Sequence, residues 1–95
     1  IHGASITGSK QFVDCPVETI MTGIEGTKNI LEFAREKQIK EMVYLSSLEV
    51  YGVTDFSLKS VKEDQYGYIE QLSPRSSYSE GKRMIECMCV SYGSE

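Results

Sequence analysis

An α/β fold built on a parallel sheet is predicted by three features of the 95-residue sequence. Residues 1–5 read as the end of a buried strand running into small residues. Residues 42–45 form a second short apolar, partly β-branched run that closes on Ser46 and Ser47. It lacks strict alternation, as expected of a strand buried on both faces. A long amphipathic segment separates the two runs, and the strand–helix–strand order is that of a βαβ unit.

In chain order, the loop that follows residues 1–5 continues through "TGSKQF". A helix is predicted from Pro16, a residue suited to a first helical turn, with Glu18 placed where the helix dipole favours an anion. At 100° per residue Val17, Ile20, Met21, Ile24, Thr27, Leu31 and Ala34 share one stripe, which takes the helix to about Lys37. Ile30 and Phe33 fall off that stripe and point to a second packing partner. Residues 52–76 are rich in Gly, Ser, Asp and Pro and read as a long loop, the kind that carries function. A last helix starts at Ser76 or Ser77, with Gly81, Met84, Ile85, Met88, Cys89 and Tyr92 on its broad apolar face.

Composition narrows the function. Hydrophobic residues make up 40% and charged residues 25%, the balance of a globular chain. A net charge of -4 with scattered Lys and Arg offers no basic patch for nucleic acid. No apolar run is long enough to span a bilayer and no secretory signal pattern opens the chain, so cytoplasm is the expected location and no membrane partner is expected. Cys15, Cys87 and Cys89 lack metal-ligand spacing and read as reduced core thiols. His2 has no metal-binding companions. The start at Ile1 suggests an excerpt of a longer chain.

The chemistry concentrates in "SSYSEGKR". Tyr78 and Lys82 are four residues apart, hence on one face of the last helix. A phenol ionises near pH ~10, and an adjacent ammonium favours its charged form, so such a pair can serve proton transfer, although taken alone any helical YxxxK, a surface accident included, satisfies the spacing. Ser46 and Ser47 end the second strand, where open α/β sheets bind ligands. A hydroxyl there can hold a substrate oxygen or simply cap a turn, and Glu49 beside it can be catalytic or a solvated carboxylate.

Taken in order, "IHGAS", "GIEGTKNILEFA", "VYLSSLEVYG" and "PRSSYSEGKR" resemble the extended short-chain dehydrogenase/reductases, the NAD-dependent epimerases and dehydratases of nucleotide sugars. The resemblance covers essentially the whole chain and implies a Rossmann-like doubly wound parallel sheet. It implies Ser47, Tyr78 and Lys82 as a catalytic triad, and NAD lying along His2, Ala4, Ser46, Tyr78 and Lys82. It implies a homodimer through the helices at 16–37 and 77–92, with Cys87 and Val90 joining Ile30 and Phe33 at the contact. The Pro-Arg and Gly-Lys-Arg elements look most like the UDP-glucuronate decarboxylases, in which the glutamate matching Glu49 takes part in catalysis. Leu48 stands where sugar 4,6-dehydratases carry an acid, which disfavours that reaction.

Two departures matter. Gly23 replaces a frequent family asparagine, and no G-x-x-G-x-x-G phosphate loop is present. The expectation is therefore that residues 1–95 are an internal portion of a dinucleotide-binding domain, lacking the glycine-rich βαβ and the substrate lobe, from a parent of roughly 300 residues. By itself such a chain would be inactive. The alternative is a structural or dimerisation segment that binds no cofactor.

Overall fold

The computed structural model describes residues 1–54 and 57–95. Its helices are α1 (Ser9–Asp14), α2 (Pro16–Glu36) and α3 (Ser77–Ser94), with single 3₁₀ turns at Leu48–Tyr51 and Pro74–Ser76. Helix α2 begins with Pro16 at its first position and Glu18 in its first turn, and Thr19 Oγ1 donates to the Cys15 carbonyl at 2.9 Å. It stops in a left-handed turn. Gln38 has φ 55°, its N–H bonds to the Arg35 carbonyl at 3.2 Å, and the Ile39 N–H bonds to the Ala34 carbonyl at 2.9 Å. This pair of bonds is a Schellman motif with glutamine where glycine is favoured.

Helices α2 and α3 pack through rows spaced four residues apart. The buried positions on α2 are Thr19, Gly23, Thr27 and Leu31, and those on α3 include Ser77, Gly81 and Ile85. Rows with this spacing are the ridges that interdigitate in the commonest helix packing. Small residues bring the backbones close: a Cβ at Gly23 would lie 3.2 Å from Ile85 Cδ1. The predicted α2 stripe holds at Thr27 and Leu31, which are buried, and at Ile20, Ile24 and Ala34, which are half-buried, but its edge is shifted in the first turns. Val17 and Met21 are exposed, whereas Thr19 and Gly23 are covered, because close approach of the axes favours the small-residue row over the larger apolar one. Met84 is likewise exposed on α3.

Helix α1, within the stretch expected as loop, exists to bury Phe12, which is 2% exposed. The expected core cysteines are also corrected: Cys15 and Cys87 are exposed and Cys89 is half-buried.

The α/β expectation, part of a Rossmann-like doubly wound parallel sheet, is overturned. Among the described residues there is no strand; pairing consists of one parallel bridge, His2 with Tyr44, and one antiparallel bridge, Val53 with Tyr68. The parallel bridge has two bonds, His2 N–H to the Val43 carbonyl at 2.8 Å and Leu45 N–H to the His2 carbonyl at 3.0 Å. Extended backbone depends on neighbouring strands for its hydrogen bonds, and a single two-stranded contact does not sustain a sheet. The run at 42–45 is accordingly covered on one side only: Tyr44 is half-buried against the helices, while Val43 and Leu45 are exposed.

The long segment before α3 is tied back onto it by Arg83, whose Nε donates to the Val50 carbonyl at 2.6 Å and Nη2 to the Gly67 carbonyl at 2.8 Å. Gly52 at φ 64° makes the sharp turn there, and a Cβ on it would run into the Tyr68 carbonyl.

Candidate functional site

The site forms where the segment at 42–47 meets the first turns of α3. Lys82 is 4% exposed, and its Nζ donates to the Leu45 carbonyl at 2.8 Å. The same nitrogen lies 4.6 Å from the Tyr44 ring centre and 5.6 Å from that of Tyr78. Burial pulls the Lys82 ammonium below the usual lysine range, and nearby Glu86 opposes the shift. Tyr78 stacks on Phe12, ring centres 4.2 Å apart and planes 11° from parallel. Beneath this corner, Ser5, Thr19, Gly23, Tyr78 and Lys82 border a cavity of about 10 Å³, room for one water.

The remaining sequence-predicted residues are engaged locally. Ser47 Oγ accepts the Glu49 N–H at 3.2 Å and so caps the 3₁₀ turn Leu48–Tyr51. Ser46 Oγ donates to Glu86 Oε1 at 2.5 Å. His2 is buried, with Nε2 3.0 Å from Thr27 Oγ1, and burial followed by the Lys82 charge holds its imidazole below the usual histidine range. Ala4 is exposed on the loop just beyond the parallel bridge. The structure thus gathers Lys82 and Tyr78 with the backbone of the 42–47 segment. Ser47 and Tyr78 have separate partners.

Three side chains at this corner escaped the sequence reading. Arg75 clasps Glu49 with both terminal nitrogens, at 2.7 and 3.1 Å, and its guanidinium lies 5.1 Å from the Phe12 ring centre. Phe12 was hidden in apparent loop. Tyr44 carries a buried hydroxyl with no partner among the described residues, and burial, then Tyr78, pushes its phenol well above the usual range.

As a cofactor cradle, these residues fit NAD in part. Ala4 and Ser46 are exposed; the Lys82 ammonium keeps donors beyond the one given to Leu45 but, like His2, is buried. His2, sealed against Thr27, does not face outward. Among the described residues no cluster of three or more His, Cys, Asp or Glu is placed to hold a metal ion. No described helix is long and apolar enough to cross a membrane.

A buried lysine one turn from a stacked tyrosine, at the end of a paired extended segment, is an arrangement suited to proton transfer at a bound alcohol or carbonyl. The sequence profile of the NAD dependent epimerase/dehydratase family matches residues 1–95, and the chain belongs to that family. It is 34% identical over 91 residues to UDP-glucuronic acid decarboxylase 1 of Danio rerio, covering 96% of this chain and 21% of that protein. It is 32% identical to UDP-N-acetyl-alpha-D-glucosaminuronate decarboxylase of Bacillus cytotoxicus, over 96% of this chain and 27% of that protein. UDP-glucose 4-epimerase of Yersinia pestis is 32% identical over 90% of this chain and 24% of its own length. The chain therefore spans about a fifth to a quarter of the curated relatives it matches.

Proposed function

We propose that the protein carrying this chain is an NAD-dependent nucleotide-sugar oxidoreductase that removes hydride from sugar C4 and decarboxylates a uronic acid. The observation that carries the reading is Lys82, buried beside Tyr78 and anchored on the Leu45 carbonyl. Burying an ammonium is costly, and a buried charge beside a tyrosine marks a candidate functional site. Tyr78 takes the C4 hydroxyl proton, Lys82 supplies the adjacent positive charge, and Ser47 orients the C4 oxygen after turning from its capping bond. NAD, held along Ala4, Ser46 and Lys82, supplies the hydride acceptor.

Oxidation at C4 converts a C6 carboxylate into a β-keto acid. Loss of carbon dioxide leaves the electron pair of the broken bond on C5, conjugated with the C4 carbonyl; proton return to C5 and hydride return to C4 then complete a pentose. Leu48, which cannot act as a general acid, and relatives that are decarboxylases of sugar acids favour this outcome over 4,6-dehydration. The epimerase relative supports a second outcome, return of hydride to the opposite face of C4. Incubation of the full-length protein with UDP-glucuronate and NAD decides between them: carbon dioxide and a UDP-pentose are expected, and an epimer that keeps its carboxylate overturns decarboxylation.

The reading also places residues 1–95 as an internal portion of the dinucleotide-binding domain, inactive in isolation. It makes the parent a homodimer through α2 and α3. Ile30, Phe33 and Val90 are exposed on these helices, 40%, 51% and 73% respectively, and Cys87 is exposed beside them. Light scattering of the full-length Ile30→Lys/Phe33→Lys variant should give a monomer mass, and an unchanged dimer refutes the contact.

A further inference from the structure

We propose that Arg75 is a positioning residue that fixes the Glu49 carboxylate relative to Tyr78, an inference that rests on the reading of Tyr78 and Lys82 as the reacting pair and of Glu49 as a carboxylate that meets the same sugar. Arg75 sits in the 3₁₀ turn Pro74–Ser76, immediately before α3. The turn is pinned on both sides: Ser76 Oγ donates to the Glu70 carbonyl at 2.7 Å, and Ser77 Oγ donates to the Phe12 carbonyl at 3.1 Å. From this fixed base the guanidinium grips both Glu49 oxygens.

The guanidinium also lies over Phe12, whose ring is in turn stacked on Tyr78. Glu49, Arg75, Phe12 and Tyr78 thus form one continuous series of contacts, with each planar group oriented by the next. Stability alone is a weak account of the ion pair, although its bidentate geometry gives it some. Arg75 and Glu49 keep 44% and 29% of their side-chain surface in solvent, and pairs so exposed contribute little to folding. A bidentate fork instead supplies direction, which lysine cannot reproduce. With one lone pair of each carboxylate oxygen committed to Arg75, the others are left facing a defined direction, suited to accept a sugar hydroxyl.

The full-length protein, assayed with UDP-glucuronate and NAD, tests this. Arg75→Ala should lower kcat by about tenfold to a hundredfold, the loss expected of a misplaced catalytic group, with little change in KM. Glu49→Gln should do the same, and the double variant should be no worse than the poorer single. Added guanidinium ion should restore Arg75→Ala and leave Arg75→Ala/Glu49→Gln unrestored. Arg75→Lys, which keeps the charge and so guards against misfolding, should lose activity because it lacks the fork. Losses that multiply in the double variant, guanidinium rescue of the double variant, or a fully active Arg75→Lys each overturn the inference.

Tyr78→Phe, run alongside, separates the two levels. If it turns over like the parent protein, or if the parent does not act on UDP-glucuronate, the underlying reading fails and the inference falls with it. If Tyr78→Phe is inactive while the Arg75 and Glu49 losses multiply, only the positioning role is wrong.

Discussion

The α2–α3 pair and the extended segments around His2 and Tyr44 depend on their surroundings in opposite ways. Each helix satisfies its own backbone hydrogen bonds, so the pair needs only packing contact, which Thr27, Ile85 against Gly23, and their neighbours supply. The extended segments must export every backbone bond, and they meet across one bridge. Yet the site lies at their junction: Lys82, rooted in α3, reaches the Leu45 carbonyl of the extended segment. Helix α3 thus carries both Tyr78 and Lys82, and the extended backbone supplies one anchor.

The largest effect is expected in the helix contact. Ile85 is 3% exposed against Gly23, and Ile85→Ala should cost about 2–5 kcal/mol in urea unfolding. Val17→Ala, on the exposed side of α2, should stay within about 0.5 kcal/mol. If the two variants cost the same, the helices pack through the larger apolar stripe and the small-residue rows are wrong.

A smaller effect comes from the hinge between the two regions, where His2 of the bridge meets Thr27 of α2. The folded His2 binds its proton less readily than the usual value of 6.5, because of burial and the Lys82 charge. Between its folded value and 6.5 the unfolded chain holds more protons than the folded one, so stability rises with pH through that window and is lost on acidification. Urea midpoints at pH about 7.5 and about 5.5 should show this fall, and His2→Gln should flatten it. A slope unchanged in His2→Gln assigns the effect elsewhere.

The smallest effect sharpens the helix side alone. Gln38 occupies a left-handed position, φ 55°, that glycine adopts without strain. Gln38→Gly should raise stability by up to about 1 kcal/mol, the cost of a side chain in that conformation less the extra freedom gained by the unfolded chain. Gln38→Val should lower it.

The same contrast explains what the sequence disclosed. Helix ends were legible because their signals are local: Pro16 and Glu18 mark the start of α2, which ends at Glu36, and α3 begins at Ser77. The buried face was legible in part: Thr27 and Leu31 lie on the predicted stripe and are buried, but hydrophobicity also points to Val17 and Met21, whereas the packing distance selects Thr19 and Gly23. The sheet was inferred from two apolar runs, but strand pairing is set by neighbours that no local pattern supplies. Within the site, the spacing of Tyr78 and Lys82 was readable on a helical face. Arg75 and Phe12 were not, since their roles come from contacts with Glu49 and Tyr78 across 26 and 66 positions, although the Pro-Arg step just before α3 was a visible signal.

On the proposed function, Lys82 serves proton transfer at Tyr78 and is not merely a buried structural lysine. Turnover of UDP-glucuronate by full-length Lys82→Met, whose side chain fills similar space without the charge, tests it most directly. A fall in kcat of about a hundredfold or more, with helical content and urea midpoint at least equal to those of the parent, is the predicted result. Parental turnover in that folded variant would contradict the account.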